Sequence, residues 1–128
     1  MCYVLFLFIL SNIEALKNWN VSNCKNCCGM FEFCSSLSDI KPLEKWKVSN
    51  CTNFGSMFHG CSSLTDITPL TEWKVSNCTN FTTMFEDCIT LSNIAGLEKW
   101  KSKKYDIDCH TMFINCLNLF SLDIIEKN

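Results

Sequence analysis

Four tryptophans, Trp19, Trp46, Trp73 and Trp100, stand 27 residues apart, and this spacing constrains the fold more than any other feature of the chain. Behind them come other columns in the same register. Val21, Val48 and Val75 align, as do Cys24, Cys51 and Cys78, and Asn26, Asn53 and Asn80. The Met-Phe pairs at 30–31, 57–58 and 84–85 follow, then Cys34/Cys61/Cys88, Leu37/Leu64/Leu91, Ile40/Ile67/Ile94 and Leu43/Leu70/Leu97. A unit this short cannot bury its own apolar face, so it must stack on its neighbours. The 128 residues suffice for one domain. It divides into a partial repeat over 1–18, repeats at 19–45, 46–72 and 73–99, and a degenerate terminal repeat over 100–128. In the last, Ser102-Lys103-Lys104-Tyr105 replaces Val-Ser-Asn-Cys, and one residue is inserted before Met112-Phe113.

The two halves of each repeat differ in period. Cys51, Phe54, Met57, Phe58 and Cys61 form one stripe when laid out at about 100° per residue. Ser49 or Asn50 before them suits a helix N-cap. This predicts a short helix over 50–60, with equivalents at 23–33, 77–87 and about 106–115. Next, Cys61, Leu64, Ile67, Leu70 and Trp73 are apolar at every third position, and Pro42 and Pro69 bar a continuous helix. A short strand is expected near 64–68, paired in parallel with equivalents near 37–41, 91–95 and 119–123. The expected fold class is therefore α/β, a leucine-rich-like solenoid of stacked 27-residue repeats, each a short strand plus a short helix.

Composition supports a packed core: 48% of residues are hydrophobic and 19% charged. The net charge of −2 creates no field for nucleic acid or an anionic membrane. Residues 3–10 are apolar but too few to span a bilayer, so no membrane insertion is expected. They read either as part of a first repeat or as a signal-like segment without a basic flank or cleavage site.

The chain holds eleven cysteines, and most fall into repeat columns. That pattern reads as a ladder of small buried apolar groups. Disulfides between columns are an alternative if the chain is exported. Cys24-x-x-Cys27 has zinc-knuckle or redox spacing, but Cys27 occupies the column of Phe54 and Phe81, so packing accounts for it. His59 shares a polar column with Glu32 and Glu86. His110 beside Cys109 does not make a catalytic dyad, since adjacency in sequence is not geometry. Asn20, Asn50, Asn77 and Asn80 begin glycosylation sequons, yet Asn50 and Asn77 recur as expected caps. No catalytic residue, metal ligand or cofactor is expected, and the chain reads as non-enzymatic.

Trp46, Val48, Ser49, Asn50, Thr52, Met57, Phe58, Cys61, Leu64 and Ile67 fall on a motif that resembles the BspA-like leucine-rich-repeat surface proteins. Phe54 stands where that family often has Met, and Cys51 where it often has Val. The resemblance spans about residues 10–125. It implies a leucine-rich-like solenoid displayed at the cell surface or secreted, with an adhesion role. The chain departs from it in lacking a clear signal peptide or anchor, which leaves a cytoplasmic location open.

The core columns barely vary while several exposed columns do, and this contrast points to binding of a protein or glycan partner. Rows Ser38/Thr65/Ser92 and Asp39/Asp66/Asn93 are the expected binding residues. The same Asp and Asn residues also suit turn-capping. Two alternatives remain: a structural piece of a longer array with no ligand, and a Cys-based redox or zinc protein.

Overall fold

A computed structural model describes residues 9–101 and 107–120. Within them the 27-residue units are coils stacked in register, and the tryptophans show how. The indole Nε1 of Trp46 donates to the Leu16 carbonyl at 2.9 Å, Trp73 to Leu43 at 2.9 Å and Trp100 to Leu70 at 3.0 Å, each reaching 30 residues back. Trp46 and Trp73 are 4% exposed, as the register requires, whereas Trp19 is 49% exposed. Phenylalanine rings stack along the same direction. Phe31, Phe58, Phe85 and Phe113 lie 5.4–5.5 Å apart in succession, and Phe54 packs 6.0 Å from Phe81.

The secondary structure is not the expected one. The described residues contain no strand and no sheet. Their regular elements are four 3-10 turns (Glu14–Leu16, Lys41–Leu43, Thr68–Leu70, Leu97–Lys99) and two single-turn helices, α1 (Cys109–Met112) and α2 (Leu117–Phe120). The expectation of a strand–helix solenoid is therefore corrected, in both halves of the repeat.

In the first half, the expected helices at 23–33, 50–60 and 77–87 are absent. Alternate residues do two different things there. Met57 and His59 close three-residue turns, donating to Phe54 and Ser56. Phe54, Ser56, Phe58 and Gly60 instead donate to the next coil, to Asn80, Thr82, Met84 and Glu86 at 2.8–3.0 Å. Cys27, Gly29, Phe31 and Phe33 do the same to Asn53, Gly55, Met57 and His59. An α-helix would keep these N–H groups within the segment. The coil spends half of them on its neighbour, so each half-repeat is a row of turns. Two columns adopt positive φ to make this possible: Gly29/Ser56/Thr83 and Phe33/Gly60/Asp87, the latter continued at Asn115. Gly60 shows why one such position wants glycine, since a Cβ there would sit 2.5 Å from Cδ1 of Phe33.

The caps are corrected too. Asn50 and Asn77 cap no helix. Their Nδ2 groups donate across coils to the Ser22 and Ser49 carbonyls at 2.8 Å.

In the second half, the strands expected at 37–41, 64–68 and 91–95 reduce to one parallel bridge, Asp66 with Asn93. The segment near 119–123 is helical at Leu117–Phe120, and its remainder lies outside the described residues. Of the fourth expected helix, about 106–115, only α1 forms, and residue 106 lies outside the described residues. The every-third apolar pattern has a direct cause: Cys61, Leu64, Leu70 and Trp73 each donate to the carbonyl three residues back. One turn per three residues points one side chain inward each time. Pro42 and Pro69 sit at the start of 3-10 turns, where proline's missing N–H costs nothing.

The cysteine ladder is buried as its columns imply. Cys61, Cys88 and Cys116 sit inside, with Sγ 2.9–3.2 Å from the Phe31, Phe58 and Phe85 carbonyls of the preceding coil. Like each tryptophan, each of these thiols satisfies an inward carbonyl while packing as an apolar group.

A polar row crossing four coils

The second positive-φ column and the column beside it build a polar row on the surface. Glu32, His59 and Glu86 occupy one column, and Phe33, Gly60, Asp87 and Asn115 the next. The turn bonds Glu32 to Gly29, His59 to Ser56 and Glu86 to Thr83 fix the first column. Cross-coil bonds from Phe33, Gly60 and Asp87 to the His59, Glu86 and Ile114 carbonyls fix the second against it.

Side chains complete the row. Nδ1 of His59 lies 3.2 Å from Oε1 of Glu32, and Nε2 lies 3.2 Å from Oδ2 of Asp87. The other carboxylate oxygen of Asp87 accepts from Nδ2 of Asn115 at 3.0 Å. Four successive coils are thus joined Glu32–His59–Asp87–Asn115. The Phe33 ring packs 4.8 Å from the imidazole, with its outer part exposed. His59's side chain is 19% exposed and Asp87's 43%, so the row is open to solvent at one end. Ile89, Ile114 and Leu117, one or two residues along the chain from Asp87 and Asn115, are exposed. Ile114 falls in the Glu86 column once the inserted residue is counted, and Leu117 in the Ile89 column.

The six residues expected to bind form two rows of their own. Ser38/Thr65/Ser92 and Asp39/Asp66/Asn93 do run as rows along the stack, exposed or half-buried. However, Oδ1 of Asp39, Asp66 and Asn93 each accepts from the backbone two residues on, at Lys41, Thr68 and Ala95. The Thr65 carbonyl takes the N–H groups of Ser92 and Asn93 at 3.0 Å and the Ser92 hydroxyl at 3.3 Å. The Asp39, Asp66 and Asn93 side chains therefore hold turns, and Ser92 ties one coil to the next. Sequence reading had picked out the Glu32–His59–Glu86 column but missed Asp87, Asn115 and Phe33. The available signal was positional: each lies in the column one residue beyond, and an inserted residue hid Asn115.

The Cys24-x-x-Cys27 pair is also placed. The two Sγ atoms lie 3.4 Å apart, and Cys27 fills the aromatic column with no exposed surface. Cys27 and Cys51 share a hydrogen bond and titrate as a pair. That bond raises the Cys27 thiol far above its usual range and lowers Cys51 to about 7. Burial first, and then repulsion from neighbouring thiols, raises Cys61 and Cys88 strongly and takes Cys78 to about 11. Apart from Cys51, these thiols resist ionisation and hence reaction.

A chain of in-register coils with a conserved-pattern apolar interior and a variable polar exterior defines a repeat protein. The family profile described as "Mycoplasma protein of unknown function, DUF285" matches residues 4–125, and the chain belongs to that family. No curated protein and no solved structure matches it.

Proposed function

We propose that the protein is a non-enzymatic binding module that engages a protein or glycan partner through the face carrying Phe33, His59, Asp87 and Asn115. One observation carries this reading. Groups from four coils converge on that face in a fixed row, and an exposed aromatic ring sits beside it. Anchored aromatics flanked by oriented polar groups are the usual makings of a recognition surface. The Ser38/Asp39 side competes less well, because its Asp and Asn oxygens already serve their own turns. The resemblance to BspA-like surface proteins leans toward display and adhesion. Among the described residues no helix is long and apolar enough to cross a membrane.

The test uses the immobilised chain against a glycan array and a panel of purified extracellular proteins. A Phe33→Ser variant, unchanged in circular dichroism, should lose at least tenfold in affinity for any specific hit. A triple Asp39→Ala/Asp66→Ala/Asn93→Ala variant should keep its affinity. The reverse pattern would move the binding face to the Ser38/Asp39 rows.

A further inference from the structure

A neutral imidazole carries one N–H and one lone pair. His59 nonetheless meets a carboxylate oxygen at both nitrogens, each at 3.2 Å. If Nδ1–H donates to Glu32, the Nε2 lone pair faces the lone pairs of Asp87 Oδ2. Such a contact calls for a cation between the two atoms, either a proton or a metal ion.

From this arrangement we infer that His59, Asp87 and Glu86 form a binding site for a divalent transition-metal ion of the zinc type. The spacing fits. Zinc holds nitrogen and oxygen ligands at about 2.0–2.1 Å, so two ligands on a tetrahedral ion lie about 3.3 Å apart. Nε2 and Oδ2 have nearly that separation already. Ligand atoms of His59, Glu86 and Asp87 all lie within 4.8 Å of one another, the one such group among the described residues. Glu86, half-buried, would have to change rotamer to close the remaining gap. Imidazole plus carboxylates is a borderline donor set that suits zinc better than calcium or magnesium.

Glu32 completes the arrangement from behind. When its carboxylate accepts from Nδ1–H, the tautomer is the one with Nε2 free for a metal, and the ring is held toward Asp87. Asn115 fixes Asp87 in the same way, holding Oδ1 so that Oδ2 faces the imidazole. The ligands come from two coils and their orienting partners from two more, so the ion would pin four coils together. This goes beyond the binding reading, since the ion needs no partner to be held.

Isothermal titration of the whole chain with Zn²⁺ alone, at neutral pH, tests the inference. One ion per chain should bind, and binding should disappear in His59→Ala and, in case that variant folds poorly, in the near-isosteric Asp87→Asn. Glu32→Gln should weaken binding about 10–100-fold without removing a ligand. Co²⁺ in place of Zn²⁺ should give visible bands with no thiolate charge-transfer absorption, which separates this site from the cysteines. Three results would each overturn the site: a thiolate band, equal affinity in His59→Ala, or no binding of Zn²⁺ to the folded chain.

Discussion

Replacing Trp73 with alanine removes one of the three buried indoles that tie each coil to the one before it. The indole is 4% exposed, packs 5.6 Å from the Phe54 ring and donates to the Leu43 carbonyl at 2.9 Å. Loss of a buried tryptophan costs about 3–5 kcal/mol in transfer and cavity terms. The Leu43 carbonyl, left facing the void, adds about 1–3 kcal/mol. Together these give roughly 4–8 kcal/mol, against a total stability of about 5–15 kcal/mol for a typical domain. The variant should therefore lose a quarter or more of its stability. Urea unfolding followed by far-ultraviolet circular dichroism measures the change. Trp73→Phe separates the two contributions, because it keeps an apolar ring but leaves the carbonyl bare, and it should lose well under the alanine cost. A Trp73→Ala change below 1 kcal/mol would refute the reasoning, since the column would then not be holding the coils together.

Thiol labelling followed by mass spectrometry should modify the exposed Cys28 readily, while Cys61, Cys78 and Cys88 react only after denaturant is added. Cys51 is buried as well and should be shielded by access despite its lowered pKa; rapid native labelling there would show that the coil opens at this point. Burial raises Cys78 to about 11 and Cys116 to about 12 from an ordinary 9.0, so their contribution to stability is complete below pH 9 and fades as pH rises through those values. Thermal melts should accordingly fall above pH 9, and Cys116→Ala should flatten that decline; a melt rising with pH would contradict the sign. Changing Asp39, Asp66 and Asn93 together to Ala should cost about 0.5–2 kcal/mol for each lost turn cap, a magnitude taken from helix caps, and no cost by urea unfolding would show the caps to be idle. Gly60→Ala should lower the melting temperature through its positive φ and the displaced Phe33 ring, and an unchanged melt would mean that ring is free to move aside.

The 27-residue register, the buried columns and the outward rows were legible in the sequence, because burial repeats wherever the same side chain returns to the same place. Trp46, Trp73, Cys61 and Cys88 lie inside as their columns required. The local conformation was not legible. Cys51, Phe54, Met57, Phe58 and Cys61 fit a helical stripe, yet a three-residue turn also brings Phe54 and Met57 inward, and periodicity over ten residues does not separate the two. The choice is made by backbone N–H groups. A helix satisfies them within the segment, whereas stacked coils let Phe54, Ser56, Phe58 and Gly60 reach the carbonyls of the next coil. That alternative exists only once the neighbour is present. The Glu32–His59–Asp87–Asn115 row depends on the same condition. The sequence showed His59 in register with two glutamates, but Asp87 and Asn115 joined it only when the coils came to lie one above another.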